Sequence, residues 1–134
     1  MPKKSVLQFI NYEVDKIVFE QVPVSAEQHE FALHPRFAKH FSSLENKRFD
    51  ANLSFEVSSS EEHPLPFHLY VSLTGHFLYE DEENTISDDI KDHILHKNTI
   101  SILFPFLRSI VASLTTAANI PPLILPVMNF ADEE

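Results

Sequence analysis

Residues 101–130, SILFPFLRSIVASLTTAANIPPLILPVMNF, decide how the chain of 134 residues is read. They hold no acidic residue, and Arg108 is their only charge, so the stretch must be covered by something. Up to about residue 118 the apolar positions recur at helical spacing: Leu103, Leu107, Ile110 and Leu114 make one stripe, widened by Phe104, Val111 and Ala118. Asn98 and Thr99 offer side-chain oxygens to cap a first turn. Pro105 is tolerated in a first turn or as a kink. The spacing therefore predicts a helix over about 100–118, continuous from Phe104, followed by a Pro-rich extended tail over 120–130. A second helix face carries Ser109, Ala112, Ser113 and Thr116, side chains small enough to let another element come close. One face suits a sheet of the same chain. The other suits either the same core or a second subunit.

Working outward, the preceding sequence supplies the sheet. Ser5 to Glu20 reads as a long strand whose apolar side switches twice: Leu7 and Phe9 on one face, Ile10, Tyr12 and Val14 on the other, Ile17 and Phe19 back on the first. Either both faces are covered or the strand carries a bulge near Asp15-Lys16. A second strand, about 29–43, alternates Phe31, Leu33, Pro35, Phe37 and Phe41 with polar or small residues, and Pro35 confines it to an edge or splits it. A third, 48–58, places Phe49, Ala51, Leu53, Phe55 and Val57 on one face. A fourth, 66–79, does the same with Phe67, Leu69, Val71, Leu73, Phe77 and Tyr79, interrupted by Gly75, the single glycine of the chain. After the acidic loop Glu80-Asp81-Glu82-Glu83, Ser87 caps a short helix, about 87–96, with Asp88 and Asp89 in its first turn. Four strands before the helices predict an α+β domain: a four-stranded antiparallel sheet with a long helix packed on one face.

Composition narrows the function classes. The length fits one domain spanning 1–134. Absence of cysteine excludes a disulfide framework and Cys-based zinc sites. No stretch reads as a signal peptide or approaches the roughly 20 apolar residues of a membrane span, so a soluble, cytoplasmic protein is expected. A net charge of −10 without a basic stripe argues against nucleic acid as a partner. Eight histidines invite a metal reading, with His93 and His96 near Asp89 and Asp92, but no third constrained ligand is in sight and no metal is predicted. There is no phosphate-binding loop, no nucleophile elbow, and the paired acids lie in loops or at helix starts. Neither an enzyme nor a cofactor is expected.

The run Ile102-Leu103-Phe104-Pro105, with Phe106, Arg108, Pro121, Leu123, Leu125 and Asn129-Phe130, resembles the SecB family of export chaperones. Ile17, Phe19 and Glu20 are similar to that family's first strand, and Gly75 falls where its pattern has a glycine. The departures are Ala118 where the family usually has glycine, Pro126 one place early before Val127-Met128, and a chain ending at Glu134 where typical members continue into a second C-terminal helix, which is thus expected to be missing. The resemblance implies an ATP-independent holdase that keeps unfolded preproteins competent for export, assembled as a homotetramer, a dimer of dimers. It puts the long helix at the subunit contacts, where the small-residue face Ser109, Ala112, Ser113 and Thr116 is the expected interface. For such a protein Phe31, Phe37 and Phe41 on the suspected edge, with Tyr12 and Tyr70 on the face opposite the regular core pattern, are the candidate client-binding groove. The resemblance further implies docking on the SecA motor through acids on the sheet: Glu20 matches one, Asp15 lies close to another, and a third expected acid falls at Tyr70. Two alternatives stand beside general export: a SecB-like chaperone dedicated to an antitoxin or another single client, and an oligomeric adaptor with no client groove.

Overall fold

The computed structural model describes residues 6–24, 33–81 and 85–119. Four strands, β1 (Leu7–Gln21), β2 (Arg36–Phe41), β3 (Arg48–Val57) and β4 (Phe67–Tyr79), form one antiparallel sheet in the order β1-β4-β3-β2. The fold class is the one the sequence predicts. β3 and β4 are the interior pair, in register from Arg48 opposite Leu78 to Val57 opposite Leu69. Their alternating apolar residues all point to one side and are buried. β2 and β3 are joined by a tight turn in which the Glu45 and Arg48 backbones bond each other both ways. Asn46 and Lys47 take φ of 51° and 67°, the pair of left-handed conformations that such a two-residue hairpin requires. The second strand is shorter than its alternation suggests: Leu33, His34 and Pro35 are irregular, and 25–32 lie outside the described residues. Proline has no N–H to give a ladder, and regular pairing begins directly after it.

The face switches in β1 have a simple cause. Fifteen residues oppose thirteen of β4, with Ile10 and Asp15 as the two extras. Each bulge turns the following side chains over. Leu7 and Phe9, then Tyr12 and Val14, then Ile17 and Phe19 consequently all stand on the same side as the buried residues of β4. The bulge expected near Asp15-Lys16 is present, together with a second between Phe9 and Asn11.

On that side lies a helix longer and more continuous than the sequence reading. Ser87 does cap it: its Oγ accepts from the Ile90 N–H at 3.4 Å. The chain then runs through α1 (Asp88–His93), a π-helical turn (Ile94–Asn98) and α2 (Thr99–Ala117) without a break. Asn98 is helical and caps nothing, while the Thr99 hydroxyl donates to the Leu95 carbonyl at 2.8 Å. Pro105 therefore sits deep inside a 30-residue helical run, giving up one backbone hydrogen bond on the exposed side. By length and composition this run could span a bilayer. Here Ile100, Leu103, Phe104, Leu107 and Val111 are instead buried in the core formed with β3 and β4.

The π turn explains how a helix that runs on through Asn98 keeps its apolar side inward. Stepping back from Ile100 and Leu103 by 3.6 residues per turn would bring His96, His93 and Asp92 against the sheet. One extra residue in the turn shifts the phase so that Leu95 and Lys91 come there instead, with Ile94 beside them. The histidines and Asp92 stay exposed, and Ile94 and Leu95 pack on the core. Lys91 Nζ lies 5.6 Å from the centre of the Tyr79 ring, and burial raises that phenol's pKa. Helix α2 then runs back along the sheet, with Leu103 directly over Gly75. A Cβ there would come within 2.6 Å of Leu103 Cδ2 and 2.7 Å of Phe77 Cε2, so only glycine lets the helix come this close. The helix stops at Asn119, whose φ is 64°, as its N–H bonds the Thr116 carbonyl at 3.1 Å. Ala118, at the family's usual glycine position, has φ −78° and needs no glycine.

Candidate functional site

A single helix is narrower than a four-stranded sheet, so α2 leaves a flank on each side. Phe104 and Phe106 are two residues apart and project about 200° from one another around the helix axis. Phe104 turns toward β2, where its ring is 6.0 Å from that of Phe37. Phe106 turns toward β1, with ring centres 4.5 Å from Tyr12 and 5.7 Å from Phe9.

The β2 flank holds two of the predicted groove residues. Phe37 is half-buried between Phe104 and Phe55, and Phe41 meets the His96 ring edge-on at 4.7 Å. Lys39, between the two phenylalanines on the same side, puts a charge into the row.

The β1 flank holds what the sequence reading missed. Beyond Tyr12 the helix no longer covers the strand, and Val14, Ile17 and Phe19 stay 43%, 43% and 37% exposed on the helix side. Phe19 stacks on Phe67 at 5.9 Å. With Ile10 at the edge itself, 48% exposed, these make a row of large apolar side chains open to solvent. A burial reading assigns such residues to the core. The signal available in the sequence was the double face switch, which two bulges resolve into one continuous row.

Other predicted residues fall elsewhere. Tyr12 is on the helix side, against Phe106, and not opposite the core as expected; the bulge at Ile10 turned it over. Tyr70 does lie on the helix-free face, in a shallow depression with Lys16, Val18, Glu20, Glu56 and His68. Tyr12, Phe37, Phe41 and Tyr70 are thus not one groove, and Phe31 lies outside the described residues. Glu20 is exposed on the helix-free face. Asp15 is engaged: its Oδ2 accepts from Thr74 Oγ1 at 2.5 Å and from Asn52 Nδ2 at 3.2 Å. On the same face His76 joins three strands, with Nδ1 2.7 Å from Asp50 Oδ1 and Nε2 3.4 Å from Glu13 Oε1. The hydrogen bond to Asp50 raises its pKa, aided by the charges of Asp50 and Glu13 and opposed by partial burial. Ser109, Ser113 and Thr116 are exposed and Ala112 half-buried, on the side of α2 turned away from the buried row.

The model for Preprotein translocase subunit SecB matches residues 7–132. The chain belongs to the SecB family. Among relatives, a Protein-export protein SecB of Anaplasma phagocytophilum is 32% identical over 83 residues, covering 62% of this chain and 52% of that protein. One of Acinetobacter baumannii is 31% identical over 90 residues, covering 67% and 57%. The match thus spans little more than half the length of those two SecB proteins. An uncharacterized protein of Methanocaldococcus jannaschii is 29% identical over 133 residues, covering 97% of this chain and 83% of its own. In fold the chain matches a Mycobacterium tuberculosis SecB-like chaperone, solved with a ChAD peptide from the HigA1 antitoxin. The TM-score is 0.72 and the identity 13%, with 91% and 90% of the two chains covered. That likeness places the sheet and the long helix in the SecB fold.

Proposed function

We propose that this chain is a SecB chaperone that holds unfolded polypeptides without ATP, on the apolar flanks of its long helix. One observation carries the reading: β1 is an edge strand that presents Val14, Ile17 and Phe19 uncovered in a row beside half-buried Tyr12 and Phe106. Apolar burial is nondirectional, and an edge strand adds main-chain hydrogen bonds, so neither contribution demands a particular client sequence. A segment about seven residues long, at 3.3 Å per residue, matches the span from Tyr12 to Phe19. The β2 flank, with Phe37 and Phe41, supplies a second contact. Pairing of subunits through Ser109, Ala112, Ser113 and Thr116, on the far side of α2, leaves both flanks open; this supports a homotetramer in which several client segments are held at once. The role is binding, without catalysis or cofactor, in the cytoplasm, and the clients are preproteins awaiting export. Glu20 remains the best placed residue for docking the SecA motor, whereas Asp15 has structural partners of its own.

Light scattering from a denatured precursor diluted into stoichiometric chaperone, without nucleotide, tests this. The wild type is expected to suppress aggregation. Phe19→Asp with Phe37→Asp, one change on each flank, is expected to abolish suppression while sedimentation shows the oligomer intact. The fold neighbour bound to an antitoxin peptide favours a second reading, a chaperone with a single dedicated client. On that reading suppression appears with one cognate protein and is absent with general precursors. A well-folded oligomer that binds neither, and no apolar dye, would be an adaptor.

A further inference from the structure

We propose that Asp15, held by Thr74 and Asn52, is a positioning residue: a register lock that decides which side chains of β1 form the exposed apolar row. The inference rests on the chaperone reading for what the row does, but the register can be measured independently. Upstream of Asp15 the apolar side chains of the row carry even numbers, Tyr12 and Val14; downstream they carry odd ones, Ile17 and Phe19. They share a face only because Asp15 is left over between Val14, opposite Leu73, and Lys16, opposite Ser72. If Asp15 were drawn into the ladder, the remainder of β1 would slip by one. Lys16, Val18 and Glu20 would then turn to the helix side and Ile17 and Phe19 to the other face.

Burial does not prevent this slip. Register is strongly specified where one face of a strand is buried, and here the downstream half has both faces open. The first bulge, at Ile10, is different, since Phe9 and Tyr12 on either side of it are packed under Phe106. At the second bulge polar bonds take over that task. Thr74 Oγ1 donates to Asp15 Oδ2 at 2.5 Å. Asn52, reaching from β3, places Nδ2 3.2 Å from the same oxygen, 3.0 Å from Ser72 Oγ, and 3.1 Å from both the Leu73 carbonyl and Thr74 Oγ1. One carboxylate is thereby tied to two strands beside it, at the point where the ladder skips.

The chain contains no cysteine, so disulfide trapping reports register cleanly. The pair I17C/V71C closes in the native register, and K16C/V71C closes after the slip. In the otherwise unchanged protein the first pair is expected to cross-link and the second not. Asp15→Ala is expected to let K16C/V71C cross-link and, without the cysteines, to weaken aggregation suppression several-fold; Asp15→Asn, which keeps an acceptor oxygen, should restore both. Thr74→Val, a milder change on a central strand, gives the same direction if Asp15→Ala fails to fold. Native cross-linking retained in both Asp15→Ala and Thr74→Val overturns the lock, whatever happens to suppression. Slippage with undiminished suppression overturns the assignment of the row to clients while leaving the holdase reading to its own test.

Discussion

The two edges of the sheet face the same solvent and are built in opposite ways. β2 is six residues long, begins directly after Pro35, and places Lys39 between Phe37 and Phe41 on its helix side. Shortness, proline and an inward charge are devices that keep an edge from recruiting another strand. β1 is fifteen residues long, has no proline, and exposes Ile10, Val14, Ile17 and Phe19. Its only irregularities are two bulges, and these align its apolar residues. The difference teaches that exposure at β1 is built in, because the same chain blunts its other edge.

Four substitutions or conditions break or sharpen that contrast. The largest effect is expected where the edges share support. Gly75→Val drives a side chain into Leu103 and Phe77 and should lower stability by about 3 kcal/mol, read as a drop in urea midpoint with both edges affected alike. Phe106→Ala removes the ring that holds Phe9 and Tyr12 and should cost about 2 kcal/mol. Here the edges part company: hydrogen exchange is expected to quicken in β1 and to stay unchanged in β2. Ile17→Lys gives β1 the device β2 already has. Stability should move by less than about 0.5 kcal/mol, while apolar dye binding and aggregation suppression fall together.

The smallest effect is a pH dependence at the middle of the sheet, where β1, β4 and β3 meet. His76 bridges Asp50 and Glu13, and its pKa in the folded chain is raised above the ordinary 6.5. Protonated His76 therefore binds the folded state more favourably than the unfolded one, and the stabilisation is full below pH 6.5 and lost as pH rises through the raised value. Because the cluster is open to water, the gain is at most about 0.5 kcal/mol. Denaturation midpoints across this range should fall for the wild type and lie flat for His76→Gln; equal slopes would remove the bridge from consideration.

Much of this was legible in the sequence. Period-two alternation gave β3 and β4, since both bury one face against a helix, and helical spacing gave the buried row of α2. The SecB membership was likewise readable from the residues around Phe104-Pro105 and Gly75. Three features were not. The bulge at Ile10 left Tyr12 on the wrong face, because a single extra residue changes the phase without leaving a proline or glycine as a mark. The continuity of the helix through Asn98 was hidden because a π turn has no residue signature, and Asn and Thr read as caps. The candidate groove was scattered for a related reason: aromatic side chains were counted as the binding surface, whereas Phe37 and Phe41 are partly covered by the helix and the open row includes aliphatic Val14 and Ile17.

The π turn at Ile94–Asn98 also gives the long helix two angular settings. Residues before it follow one phase and those after it another, offset by about 100°. Removing one residue between 94 and 98 would restore a plain α-helix with α1 still in its present setting, whereas rewinding the turn as α-helix at full length would rotate α1 as a unit while α2 stayed seated on Gly75. Lys91 would leave the Tyr79 ring, and Asp92 or His93 would be driven toward the core. The segment thus behaves as a fixed gear between the end of β4 and the core helix, and its winding is what sets the phase there.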